Sequence, residues 1–140
     1  MQAQCHCGLI SVTLSGPPEY INLCDCSLCL KSGGAWSYFE PSETVIEGET
    51  RGYRRSDFSE PAVEIQFCPT CGVTTHWILT EHFIGDDSAA NNRMGINMRL
   101  FEPSELLGIE VRTLDGRNWF GETEPNHRRE PGKMGVDVFP

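Results

Sequence analysis

The chain has 140 residues, 39% hydrophobic and 22% charged, a mix that suits one domain with its own core and excludes a disordered segment. Its formal net charge of -9 argues against nucleic acid as a general partner, because phosphate binding relies on clustered Lys and Arg. No apolar run approaches the length of a membrane span, so no membrane partner is expected.

In chain order, the opening Met1-Gln2-Ala3-Gln4-Cys5 lacks the basic and apolar regions of a secretory leader. Leu9 to Leu14 alternates apolar and polar, with Ile10, Val12 and Leu14 on one face, and predicts a half-buried strand stopped by Gly16-Pro17-Pro18. Tyr20 to Leu23 reads as extended, and Ala35 to Phe39 as an aromatic-rich strand. Thr44-Val45-Ile46 and Arg51-Gly52-Tyr53-Arg54 flank Glu47-Gly48-Glu49, which suits a hairpin. Val63, Ile65 and Phe67 alternate up to Cys68, and Thr74 to Leu79 is β-branched and aromatic. Gly85 to Asn92 is a polar loop, Met94 to Phe101 alternates as a strand, and Pro103 to Leu107 is the one helical turn, closed by Gly108. The expectation is a mostly β, single-domain, complex antiparallel fold over residues 1–120. Residues 121–140 form a polar C-terminal tail ending in the alternation Val136, Val138, Phe139. It is expected to dock on its own domain or on a neighbouring chain, which invites a homodimer.

Seven cysteines fall in three clusters: Cys5 and Cys7; Cys24, Cys26 and Cys29; Cys68 and Cys71. An odd count fits poorly with a disulfide scaffold, and close-set cysteines without an export signal suggest a reducing compartment, with the cytoplasm as the expected location. Phe67-Cys68-Pro69-Thr70-Cys71-Gly72 has the form of a zinc knuckle, in which Pro fixes one φ and Gly permits the tight turn. Cys5-His6-Cys7-Gly8 is a shorter version. Closed structural zinc sites take four ligands, and catalytic ones take three plus an open position, so seven cysteines suit two zinc ions. Pairing Cys5, Cys7, Cys68 and Cys71 would staple the N-terminus to the middle of the chain. Cys24, Cys26 and Cys29 would then cap one face of a second metal, and the glycines of Leu30-Lys31-Ser32-Gly33-Gly34 would allow close approach. A three-thiolate zinc carries about -1 charge, which makes it a weaker Lewis acid than zinc on neutral histidines and favours thiol chemistry over hydrolysis.

The residues alone leave other readings open. Both sites could be structural, with His6, His76 or a water closing the second, in a non-enzymatic zinc module. Thiolates could also hold an iron–sulfur cluster or form a redox switch, and other partitions of the clusters between metals are compatible with the spacing. Arg51, Arg54 and Arg55 are the densest basic patch and could meet substrate carboxylates, although an exposed hairpin explains them as well. Lys31 is the better-placed cation, two residues after Cys29. His76 beside Trp77 reads as a hydrogen-bonded structural histidine, His6 as pointing away from a metal, and His82 and His127 as loop residues. Asn97 and Arg99 share one face of the Met94–Phe101 strand; Trp36, Trp77 and Trp119 read as core or pocket wall.

Taken together, the clusters at Cys5-His6-Cys7-Gly8, Cys24-Asp25-Cys26-Ser27-Leu28-Cys29 and Phe67 to Gly72 resemble the glutathione-dependent formaldehyde-activating enzyme family, which includes the centromere protein V domain. The resemblance covers roughly Gln4 to Trp119. Arg93 to Leu100, followed by Leu114-Asp115-Gly116, looks like one bacterial branch, and the tail after Phe120 lies outside the pattern. It implies an all-β zinc fold, a structural zinc on Cys5, Cys7, Cys68 and Cys71, and a catalytic zinc on Cys24, Cys26 and Cys29. It also implies a carbon–sulfur lyase acting on a thiol–aldehyde adduct such as S-hydroxymethylglutathione, so that the partner is a small-molecule thiol of the glutathione type.

Overall fold

The structure, a computed structural model, describes residues 1–83, 92–119 and 125–135. The expected loop from Gly85 lies outside these residues up to Asn91, as do Val136, Val138 and Phe139. The described elements run β1 (Gln2–Gln4), β2 (Ser11–Leu14), β3 (Tyr20–Cys24), α1 (Ser27–Ser32), β4 (Trp36–Phe39), β5 (Thr44–Glu47), β6 (Arg51–Arg54), β7 (Val63–Phe67), β8 (Thr74–Leu79), β9 (Met94–Asn97), β10 (Glu110–Leu114) and β11 (His127–Lys133). The fold is mostly β, with one short α-helix among the described residues. Two compact units can be distinguished, Met1–Pro17 with Tyr38–Ile96, and Pro18–Ser37 with Asn97–Pro140.

In the first unit, β2 lies between β1 and β5 in an antiparallel sheet, with Val12 opposite both Ala3 and Ile46. Ile10, Val12 and Leu14 are buried, as their alternation predicts. Strands β6, β7, β8 and β9 follow one another in antiparallel pairs. The hairpin expected between 44–46 and 51–54 does not form: β5 pairs with β2, and β6 pairs with β7. The side chains account for this. Ile46 has an apolar partner on β2, whereas the exposed β6 finds polar partners on β7, where Arg54 opposes Glu64 and its Nε lies 2.6 Å from the carboxylate.

The second unit is built around β3, which runs parallel to β10 from Tyr20↔Glu110 to Cys24↔Leu114 and meets β4 antiparallel at Asn22↔Trp36. β11 adds antiparallel to β10, so His127–Lys133 of the tail is tied to the chain's own sheet. Ile21, Met98, Leu106, Val111 and Met134 are almost wholly buried here. Each such side chain contributes roughly 1.5–3 kcal/mol relative to exposure. The strand expected over Met94–Phe101 stops at Asn97 and turns into a 3-10 segment, Met98–Leu100. Asn97 causes the turn: its Oδ1 accepts the amides of Arg99 at 3.2 Å and Ala35 at 3.1 Å. Asn97 is therefore buried while Arg99 is exposed, and the two do not share a strand face. Pro103–Leu106 forms the expected helical turn as a 3-10 segment that buries Leu106.

Candidate metal centres

The first unit gathers Cys5, Cys7, Cys68 and Cys71, with their sulfurs all within 4.8 Å of one another. Two similar turns supply them. In one, the Cys5 amide donates to Ile10 O and the Gly8 amide to Cys5 O; in the other, the Cys68 amide donates to Val73 O and the Gly72 amide to Cys68 O, all at 2.9 Å. Gly8 and Gly72 have φ values of 79° and 74°, a left-handed backbone that explains why glycine follows each cysteine pair. The Ile10 amide points at Cys5 Sγ from 3.3 Å. Cys5 and Cys68 are buried with Ile10, and Ile46, Cys71 and Val73 pack on them. The Val73 amide, acting against the cost of desolvation, helps lower the Cys71 thiol to about 6.

These donors fit zinc. Sulfurs on a tetrahedral ion with Zn–S near 2.3 Å stand ~3.8 Å apart, and both Cys5–Cys7 and Cys7–Cys68 are separated by 3.6 Å. A disulfide would need sulfurs about 2.05 Å apart, and all seven cysteines are free.

The second unit gathers Cys24, Cys26 and Cys29, again within 4.8 Å, with no further His, Cys, Asp or Glu completing the group among the described residues. Cys24 ends β3, Cys26 caps α1, and Cys29 lies in its first turn. The helix is only six residues long, and its ends depend on local groups. Cys26 Sγ accepts the Cys29 amide at 3.4 Å, and Gly33 closes the other end in a left-handed conformation. The Trp36 indole N–H donates to Cys29 Sγ at 3.3 Å. Gly34 makes room for that ring, since a Cβ there would fall 2.3 Å from it. Hydrogen bonds from Cys24 and then Cys29 push the Cys26 thiol down to about 2. Cys24, which gives its hydrogen bond to Cys26, is raised to about 11, and Cys29 is raised by the same sharing.

Other residues complete the surroundings of this cluster. A Cβ on Gly116 would lie 2.1 Å from Cys24 Sγ and 3.3 Å from the Cys26 backbone nitrogen. Arg117 and Arg128 both bind Asp25, the residue between the first two thiols. Composition and spacing do not single out these contacts; their one local signal in the sequence is Gly116, in Leu114-Asp115-Gly116.

The remaining candidates separate cleanly. Arg54 is engaged by Glu64 and Glu81, each at 2.6 Å, and Arg55 binds Asp57 and lies 3.8 Å over the Phe58 ring. Arg51 is exposed on β6. Lys31 is exposed in the last turn of α1, where its charge suits the carbonyl end. His6 is exposed, and neither His6 nor His76 belongs to a metal-ligating group. His76 is buried on β8, with Nδ1 3.0 Å from Thr75 Oγ1, and burial pulls its pKa down to about 4. His82 stands 3.4 Å from the Glu81 carboxylate, and His127 is exposed on β11. Trp36 is buried and Trp77 packs near Tyr38, while Trp119, expected as core or pocket wall, is 41% exposed and so is not a core residue.

A mostly β chain that holds four thiols on paired glycine turns, and three more at a strand-to-helix junction, is a protein equipped with two candidate metal clusters. The chain belongs to the glutathione-dependent formaldehyde-activating enzyme family, whose sequence model matches residues 1–102. The match ends before β10 and β11, so Gly116, Arg117 and Arg128 lie beyond it. Among solved structures, the chain is similar to the crystal structure of a Rhodobacter sphaeroides protein: the two are 24% identical, with a TM-score of 0.54 over 73% of this chain and 88% of that one. That likeness concerns the fold. No curated protein matches. No helix among the described residues is long and apolar enough to cross a membrane.

Proposed function

We propose that this chain is a zinc-dependent enzyme that makes or breaks the carbon–sulfur bond of a thiol–aldehyde adduct, of the S-hydroxymethylglutathione type. Cys24, Cys26 and Cys29 form its catalytic metal site, and Cys5, Cys7, Cys68 and Cys71 hold a structural zinc. The observation that carries this reading is the difference between the clusters: the first offers four sulfurs, the second only three. Zinc held by Cys24, Cys26 and Cys29 would keep a position for an outside thiol and would lower that thiol's pKa.

The chain's own residues orient the cluster. The Cys29 amide and the Trp36 indole direct N–H groups at two of the sulfurs, which favours their thiolate forms and fixes their lone pairs. In the lyase direction the C–S electrons leave with sulfur as thiolate, while the adduct hydroxyl gives its proton to water and becomes the aldehyde carbonyl. The addition direction reverses both transfers. The family's name supports glutathione and formaldehyde as the reactants. A reducing compartment such as the cytoplasm would keep all seven thiols free.

The test is exchange spectroscopy on zinc-replete protein with glutathione and formaldehyde, followed by other thiol–aldehyde pairs. Accelerated exchange that is lost in Cys26→Ser supports the reading. No acceleration with any pair, in protein shown to carry two zinc ions, leaves the non-enzymatic zinc module as the better description.

A further inference from the structure

Asp25 separates two ligands of the three-thiolate cluster, and both its backbone and its side chain are held by hydrogen bonds. The Arg117 amide donates to Asp25 Oδ1 at 3.0 Å, and the Arg117 Nε to Asp25 O at 3.0 Å. Arg128 Nε donates to Asp25 Oδ2 at 2.8 Å. All three oxygens of Asp25 therefore accept a hydrogen bond. Arg128 reaches on through Nη2 to Asp115 Oδ1 at 2.6 Å, and Asn118 Nδ2 bonds both Asp115 oxygens at 3.0 Å. The Asp25 amide also points at Leu114 O, 3.4 Å away. Gly116 follows Asp115, and it leaves no room for a side chain beside Cys24 Sγ, since a Cβ there would fall 2.1 Å from the sulfur.

These contacts share one geometry. Cys24 ends β3 and Cys26 caps α1, so Asp25 is the one residue between them and its backbone sets how their sulfurs converge. The holding groups come from the turn after β10 and from β11, beyond the family match. Ligand thiolates concentrate negative charge beside Asp25, and two guanidinium groups sit there to offset it, in a chain of net charge -9. The Asp25 and Asp115 side chains are 25% and 15% exposed and Arg128 is 43% exposed, so the bridge acts by fixing position more than by its charge.

We propose that the Asp115–Asn118 turn and Arg128 of β11 form a positioning frame for the three-thiolate cluster, clamping Asp25 so that Cys24 and Cys26 converge on one metal ion. This rests on reading Cys24, Cys26 and Cys29 as a metal site. The frame makes the metal affinity of that cluster depend on residues outside the family-matched segment, while the four-thiolate cluster is indifferent to them.

The test is cobalt(II) titration of the 140-residue chain, followed by the thiolate-to-cobalt charge-transfer absorption. Cys26→Ser identifies the absorption of the four-thiolate cluster. Arg128→Ala is expected to weaken the three-thiolate phase by roughly 10-fold or more, the usual effect of removing a group that orients metal ligands, and to leave the four-thiolate phase unchanged. Arg128→Lys keeps the charge but cannot bridge both carboxylates in the same way, and should fall between the two. Unchanged affinity at the three-thiolate cluster, or equal weakening at both clusters, overturns the frame. A wild-type chain that fills its four-thiolate cluster and takes up no second cobalt contradicts the metal reading itself. A second cobalt indifferent to Arg128 contradicts the frame alone.

Discussion

Gly116→Ala tests the packing of the three-thiolate cluster with a single added methyl group. The new Cβ would lie 2.1 Å from Cys24 Sγ, where ordinary contact begins at 3.4 Å, so the sulfur must move by more than an ångström. Metal–ligand distances tolerate only about 0.2 Å. Gly116 is not among the positive-φ glycines, so the substitution acts through this contact rather than through backbone strain. In the metal-free chain, Cys24 can rotate its thiol away, and Cys26 need yield only a few tenths of an ångström at its 3.3 Å contacts. The fold should therefore lose little. With metal, the rotation removes a ligand from the cluster. Overpacking of this kind costs roughly 1–3 kcal/mol, which, expressed in binding, is a loss of roughly 5- to 150-fold. Competition between the protein and a chromogenic chelator for zinc measures this loss, and thermal unfolding of the metal-free chain supplies the control. Wild-type zinc affinity in Gly116→Ala would refute the reasoning, because it would mean that Cys24 does not need its observed position to bind.

Cys71→Ser and Cys26→Ser separate the two clusters by stability. Cys71 is only partly buried, so its loss reports the metal more than packing, and a melting temperature on the order of 10 °C lower is expected in zinc-replete protein. Cys26→Ser should melt within a few degrees of wild type, and equal losses in both variants would show that both metals are structural. Trp36→Phe keeps an aromatic side chain, though a smaller one, and removes the indole N–H that reaches Cys29 Sγ; zinc affinity at the three-thiolate cluster should fall roughly 10-fold, as read by the same chelator competition. His76 is held neutral by burial, with a pKa near 4. In the unfolded chain it takes up a proton below about 6.5. Its folded-state pKa is thus the lower one, so stability is complete above about pH 6.5 and declines as pH falls toward 4, by roughly 3 kcal/mol over that window. Urea unfolding at pH 7 and pH 4.5 should show a smaller decline for His76→Gln than for wild type.

What could be read from the sequence divides along physical lines. The cysteine clusters were visible because metal ligation imposes short spacings and glycine turns, and the structure gathers the cysteines into a group of four and a group of three. Strands with a clean period of two, such as Ile10 to Leu14 and Val63 to Phe67, were also visible. Pairing was less legible. The Glu47-Gly48-Glu49 turn looks like a hairpin, but the partner of each strand is set by Ile46 and Glu64, and those partners are distant in sequence. Helix α1 was missed because its six residues carry no amphipathic repeat, and its N-terminal cap is a cysteine, Cys26. Strand β9 ended early because the Asn97 side chain competes with the backbone ladder for the amides of Ala35 and Arg99. The Asp25 clamp was hidden for a related reason: Arg117 and Arg128 are 92 and 103 residues away, and no local pattern links them to it.

The most direct test of the central claim is a zinc-edge anomalous diffraction map of crystals of the zinc-replete chain, with the metal counted in the same preparation. Two zinc ions are expected per chain, one bound by the sulfurs of Cys5, Cys7, Cys68 and Cys71, the other by Cys24, Cys26 and Cys29 with a fourth position taken by water or an added thiol. A fourth protein ligand on the second zinc, or a single zinc in protein whose seven thiols are reduced, would contradict the account.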